Sequence, residues 1–294
     1  LRDDREIANI LHFLVCFMPT FFDRAHPFFA EASVPLKVGV FFAVWMAIWL
    51  PIAVPLAIAL KWHPFKPLEI RQKLPLVASL YLLAPIVLWV AAWVQNFPFT
   101  RYGLSWNLDL LISVSRGLAL GTIGLAILFG VQTLLGWIEW KAENWKQLRS
   151  VLLPTLCLGL WIGVTEELIF RGFLLGQLEQ AYGLWSGAIV SSLIFALLHL
   201  VWEGRENIPQ LPGLWLMGMV LCLARVVDRN QLGLAWGLHA GWVFGMASLD
   251  SADLIRYTGR TSEWLTGLKK KPLAGAMGLL FLLTTAGVLW AVNS

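Results

Sequence analysis

Hydrophobic residues fall along this chain in long uninterrupted runs, not in the alternation of a half-buried strand or the single stripe of a surface helix. A bilayer core about 30 Å thick needs about 20 apolar residues in an α-helix. Three windows, Val38–Leu60, Leu74–Val94 and Pro272–Val292, meet that requirement without one charge. Gly117–Trp140 nearly does, with Glu139 at its end. Between 151 and 248 the pattern breaks into four apolar stretches, about 151–178, 182–202, 212–227 and 232–248. The pattern therefore predicts an all-α polytopic bundle of about eight transmembrane helices. Ile7–Phe22 is too short to span and reads as an interfacial or re-entrant helix, and the mixed charges from Arg2 to Glu6 do not resemble a cleavable signal. No repeat or long linker divides the chain. One integrated domain is expected, with the interfacial helix and three spans in 1–150, a charge-bearing core in 151–250, and a loop and last span in 251–294.

Composition agrees, since 58% of the 294 residues are hydrophobic and 14% charged, with a mean hydropathy of +0.70, whereas soluble domains are about 25% charged. This excludes a soluble globule, a disordered chain and a disulfide scaffold. The net charge of +4 carries no suggestion of nucleic acid, because basic residues in short loops are what membrane topology requires. Placing the Lys61, Lys66, Arg71 and Lys73 loop in the cytoplasm puts thirteen basic residues inside and eight outside, with both termini outside. Cys16, Cys157 and Cys222 sit in apolar stretches and read as small buried hydrophobes.

Charges inside spans are costly and mark function by default. Here they cluster. The stretch from Val151 carries Glu166, Glu167 and Arg171, the next ends in His199, and the seventh holds His239. Glu167 and Arg171, four apart, share a helix face and form an ion pair whose role, taken alone, reads as mainly structural. Glu166 is turned about 100° away, without a local partner, and should face a cavity as a general base. Gly159, Gly163, Glu167 and Arg171 continue one ridge toward a closely packed helix. Gly233, Gly237, Gly241 and Gly245 form another, with His239 and Trp242 on the opposite side. Each histidine alone would read as a hydrogen-bonded helix residue; two with an unpaired carboxylate can hold and deprotonate a water. They also suit zinc, which leaves a metal open with no ligands assigned.

These residues resemble the CAAX prenyl protease and bacteriocin-processing (CPBP, or Abi) family of intramembrane proteases. Its Glu-Glu-x-x-x-Arg motif is met by Glu166, Glu167 and Arg171, and its Phe-x-x-x-His motif by Phe195 and His199. The family's third motif has a polar residue, often Asn, four positions after a His; here His239 is followed by Val243, a departure. The resemblance covers about Val151–Gly245. It implies an eight-span helical fold in which Glu166 is the general base and His199 its water-holding partner. His239 would hold the water or stabilise the oxyanion jointly with position 243, and the substrate would be a membrane-embedded or lipidated peptide. The expected partners are membrane lipids, that peptide and, in a scaffold role, another membrane protein. A lapsed enzyme acting as a membrane scaffold is the alternative, motivated by Val243. A bacterial plasma or thylakoid membrane is the expected location. A transporter fits less well, because the buried charges all lie in the second half.

Overall fold

The computed structural model describes residues 27, 29, 31–63 and 68–292; the helix expected at 7–22, and Cys16 with it, lies outside them. The long helices are α1 (Val34–Ala59), α2 (Ile70–Val94), α3 (Leu108–Leu134) and α4 (Trp145–Glu167). Without a break in the chain direction, α4 passes through a π-helical segment, Leu168–Leu174, into α5 (Leu175–Tyr182). Next come α6 (Leu184–Glu203), α7 (Leu211–Val227), α8 (Gly233–Ser251), the single turn α9 (Glu263–Thr266) and α10 (Ala276–Ala291). Counting α4 and α5 as one, six of these helices are long and apolar enough to cross a bilayer. The other two long ones are α8, enclosed by its neighbours, and the 16-residue α10.

Two expected spans have shifted boundaries. The third begins at Leu108, nine positions before Gly117, because the Asn107 side chain accepts the Leu110 N–H at 2.9 Å and caps the helix. It stops at Leu134, ahead of Gly136 in a left-handed conformation at φ 70°. Ile138–Trp140 is therefore not helix but a strand, β1, paired antiparallel with β2 (Ile255–Tyr257), with Glu139 opposite Arg256. The Arg256 guanidinium donates to the Glu139 carboxylate and holds its pKa below the usual carboxylate range. The last helix begins at Ala276, because Pro272–Ala274 form a separate tight turn. Cys157 also differs from expectation: it is exposed, lying about 200° around α4 from Gly159, whose face is packed.

The core is apolar, and so is much of the outer surface. The outer helices expose Ile58, Leu82, Ile127 and Leu153, as a bundle solvated by lipid tails must. The centre is α8. A Cβ on Gly237 would lie 2.0 Å from the Val114 carbonyl oxygen, and one on Gly117 of α3 would lie 2.3 Å from that of Leu234. No residue larger than glycine fits either position. On its other side α8 meets the Gly159 and Gly163 ridge of α4, where added Cβ atoms would crowd Ala240 and Trp236. Both glycine ridges thus do what their spacing predicts, squeezing α8 between α3 and α4. Trp236 donates to the Leu160 carbonyl at 2.8 Å, and the Thr155 and Ser248 hydroxyls hydrogen-bond at 2.7 Å, locking the α4–α8 register.

The helix ends sort into two groups, as alternating spans require. At one end Lys73 pairs with Glu203 at 3.3 Å, Asn144 donates to the Asp253 carbonyl and Lys271 donates to Asn207. At the other, the Leu232 N–H donates to the Gly103 carbonyl at 2.8 Å and Gln177 donates to Gln95.

Candidate active site

Because α4 offers glycines to α8, its next turn brings Glu167 onto His239. The Glu167 Oε1 atom accepts from His239 Nδ1 at 2.8 Å and from Arg171 Nη1 at 2.9 Å. Glu167 and Arg171 are fully buried and His239 is 2% exposed. A carboxylate oxygen only accepts, so Nδ1 carries a proton and Nε2 is turned the other way. Nε2 lies 3.7 Å from Glu166 Oε2. His239 thus stands between adjacent glutamates of one helix, one on each ring nitrogen.

The ion pair read from the i, i+4 spacing is present, but Glu167 has a second duty in orienting the imidazole. Arg171 is held at both Nη atoms and at its face: Nη2 donates to the Gly218 carbonyl at 3.2 Å, and its guanidinium carbon lies 4.5 Å from the Phe195 ring centroid, while Nε is buried with no hydrogen-bond partner among the described residues. The π-helical segment begins directly after Glu167. Such insertions change the angular register of a helix and recur at functional sites. Ser191 of α6 steadies this one by donating to the Phe170 carbonyl at 2.9 Å.

Glu166 differs from the expectation in one respect. It is not without a partner, because the Tyr81 hydroxyl of α2 donates to its Oε1 atom. Oε2, by contrast, is buried with no hydrogen-bond partner among the described residues. Tyr81 was invisible to motif reading, since the N-terminal spans match no family signature. One signal was there: it is the single titratable residue in the charge-free window Leu74–Val94. Its ring is fixed edge-on by Trp161 at 6.2 Å.

His199 joins through Phe195. That ring, fully buried, packs against His199 at 4.6 Å between centroids and against His239 at 6.1 Å, besides covering Arg171. His199 Nδ1 meets the Phe195 carbonyl oxygen at 2.8 Å; a carbonyl only accepts, which assigns the proton to Nδ1 and leaves Nε2 as a proton acceptor. The Phe-x-x-x-His spacing therefore has a physical meaning, with Phe195 as the apolar spacer of the cluster and the anchor of His199. Val243, one turn after His239, is half-buried and adds no donor.

Among the described residues, no group of three His, Cys, Asp or Glu is arranged to hold a metal ion. Glu167 Oε1 and His239 Nδ1 are engaged in the bonds just described, whereas Glu166 Oε2 and Glu167 Oε2 are buried with no hydrogen-bond partner among the described residues. Cavities of about 170 and 530 Å³ open among the described residues, and neither is lined by Glu166, His199 or His239. The cavity expected at Glu166 is not one of these two.

Residues 148–245 match the family model described as type II CAAX prenyl endopeptidase Rce1-like. An uncharacterized 24.3 kDa protein of Escherichia coli is 29% identical over 89 residues, which make up 30% of this chain and 40% of that relative. The chain therefore spans less than half the length of that curated relative. No solved structure matches.

Proposed function

From the match of residues 148–245 to the family model described as type II CAAX prenyl endopeptidase Rce1-like, we propose that this integral multi-pass membrane protein is an intramembrane endopeptidase driven by a Glu- and His-activated water. The observation that carries this reading is the placement of His239 between Glu167, at 2.8 Å, and Glu166, at 3.7 Å, in a bundle where an unneeded charge is costly. In this scheme Glu166 Oε2 takes a proton from a water. The resulting hydroxide attacks the carbonyl carbon of a peptide bond, and Glu166 returns the proton to the departing amine. Tyr81, bound to the other carboxylate oxygen, fixes the direction of Oε2. Glu167 holds His239 so that its Nε2 faces the reacting oxygen. Position 243 then lies beside the oxyanion, where valine contributes no hydrogen bond.

The substrate class assigned is a membrane-embedded or lipidated peptide, and the orientation places the Lys61–Lys73 loop in the cytoplasm, in either a bacterial plasma or a thylakoid membrane. The second reading, a membrane scaffold that has kept the protease fold, is favoured by Val243. The test is cleavage of a lipidated peptide library by the full chain in proteoliposomes. Cleavage by wild type that is lost in Glu166→Gln supports the enzyme; activity retained in Glu166→Gln overturns the assignment of the base. No cleavage by wild type or Val243→Asn selects the scaffold.

A further inference from the structure

At the end of the bundle away from the lysine-rich loops, α2, α5 and α7 terminate around the cavity of about 170 Å³. Its floor is Gly172 and Phe173 of the π-helical segment. Its polar lining is Arg101, Gln177, Glu179, Gln180, Arg225 and Asn230. The unusual member is Arg225, whose side chain is 8% exposed. Its Nε and Nη1 atoms are buried without a hydrogen-bond partner among the described residues. One carboxylate oxygen, Glu179 Oε2, lies 3.7 Å from Nη1, an ion pair that is too long for a hydrogen bond. The carbonyls of Ala224, Arg225 and Val226 at the end of α7 already accept from the N–H groups of Asp228, Asn230 and Arg229. A second guanidinium, Arg101, lies over the Phe97 ring at 5.1 Å on the cavity rim.

A buried arginine with idle donors, a second arginine and side-chain amides around one small cavity are the parts of an oxyanion site, and guanidinium forks suit phosphate oxygens especially well. We propose that this cavity binds a phosphate-class oxyanion, and its place at the helix ends makes a phospholipid headgroup the natural source. The volume of about 170 Å³ accommodates a phosphate with its nearest ester carbons. Glu179 sets the affinity from the other direction, because it opposes an anion while it supports Arg225. The site is separate from the Glu166 cluster and does not rest on the proteolytic reading.

The full chain, purified in detergent, is titrated with dihexanoyl phosphatidic acid, with inorganic phosphate and with uncharged dihexanoylglycerol, and its thermal unfolding midpoint is followed. The expected result is a saturable rise with phosphatidic acid and none with dihexanoylglycerol. A rise with phosphatidic acid alone identifies the headgroup as the source, whereas equal saturation by inorganic phosphate identifies a free anion; either supports the oxyanion site. Arg101→Gln, at an exposed position that leaves the core intact, should weaken the apparent affinity about tenfold. Glu179→Gln should tighten it several-fold, a sign that lipid coating the bundle nonspecifically would not give. Arg225→Gln should abolish the response; should it fail to fold, the other two variants still decide. Absence of a saturable shift with both phosphate probes, a matching shift with dihexanoylglycerol, or indifference to both Arg101→Gln and Glu179→Gln overturns the proposal.

Discussion

Replacing Glu167 by Gln removes one negative charge from a spot where three side chains have no access to solvent or almost none. The Glu167 oxygen accepts from Arg171 at 2.9 Å and His239 at 2.8 Å. After substitution Arg171 retains the Gly218 carbonyl and the Phe195 ring, both uncharged. Deleting one partner of a buried ion pair costs about 3–5 kcal/mol, and the amide oxygen still accepts hydrogen bonds, so the lower half of that range is expected. At about 2 °C per kcal/mol for a chain of this size, the midpoint should fall by about 6–8 °C. Glu166→Gln is the matched control. It removes a charge that has no cationic partner within hydrogen-bond distance and keeps an oxygen for Tyr81, so its midpoint should stay within about 2 °C of wild type. Both are measured by thermal unfolding of detergent-purified protein, with accumulation in the membrane as a second readout. Equal midpoints for the two variants would refute the argument that Glu167 bears the electrostatic burden while Glu166 is reserved for chemistry.

Other consequences follow from the same contacts. Tyr81→Phe keeps the ring against Trp161 but frees Glu166 Oε1; it should leave the midpoint within about 2 °C of wild type and reduce peptide cleavage about tenfold, as expected for a misaligned general base, with unchanged cleavage as the contrary result. Val243→Asn should raise any Glu166-dependent cleavage by up to about a hundredfold, the usual value of one oxyanion donor, whereas in a scaffold it should only lower stability slightly by burying an amide. Single cysteines at Lys141 and Lys270 should be labelled from one side of the membrane and a cysteine at Arg101 from the other. Labelling of all three from one side would contradict the sorting of helix ends.

What the sequence determined by itself was whatever depends on local composition and helical period. Runs of about 20 apolar residues set a bundle of membrane helices, six of them among the described residues long and apolar enough to cross, because the bilayer imposes that length on any span. Spacing by four residues set the Glu167–Arg171 pair and both glycine ridges, since i and i+4 share a face in any α-helix. Cap and turn chemistry limited that reading: Asn107 moved the start of α3 by about two and a half turns and Gly136 its end by more than one and a half, and β1 found its partner 117 residues away. The rest was decided by tertiary packing. No period in the chain relates Tyr81 to Glu166, 85 residues apart, or His239 to Glu167, 72 residues apart. Those contacts exist because glycines let α8 approach α4 to backbone contact and because α2 is docked beside α4. Burial of Arg225 at the closing ends of three helices has the same origin. Motifs named the groups that carry charge, and only the meeting of helices decided which of them touch.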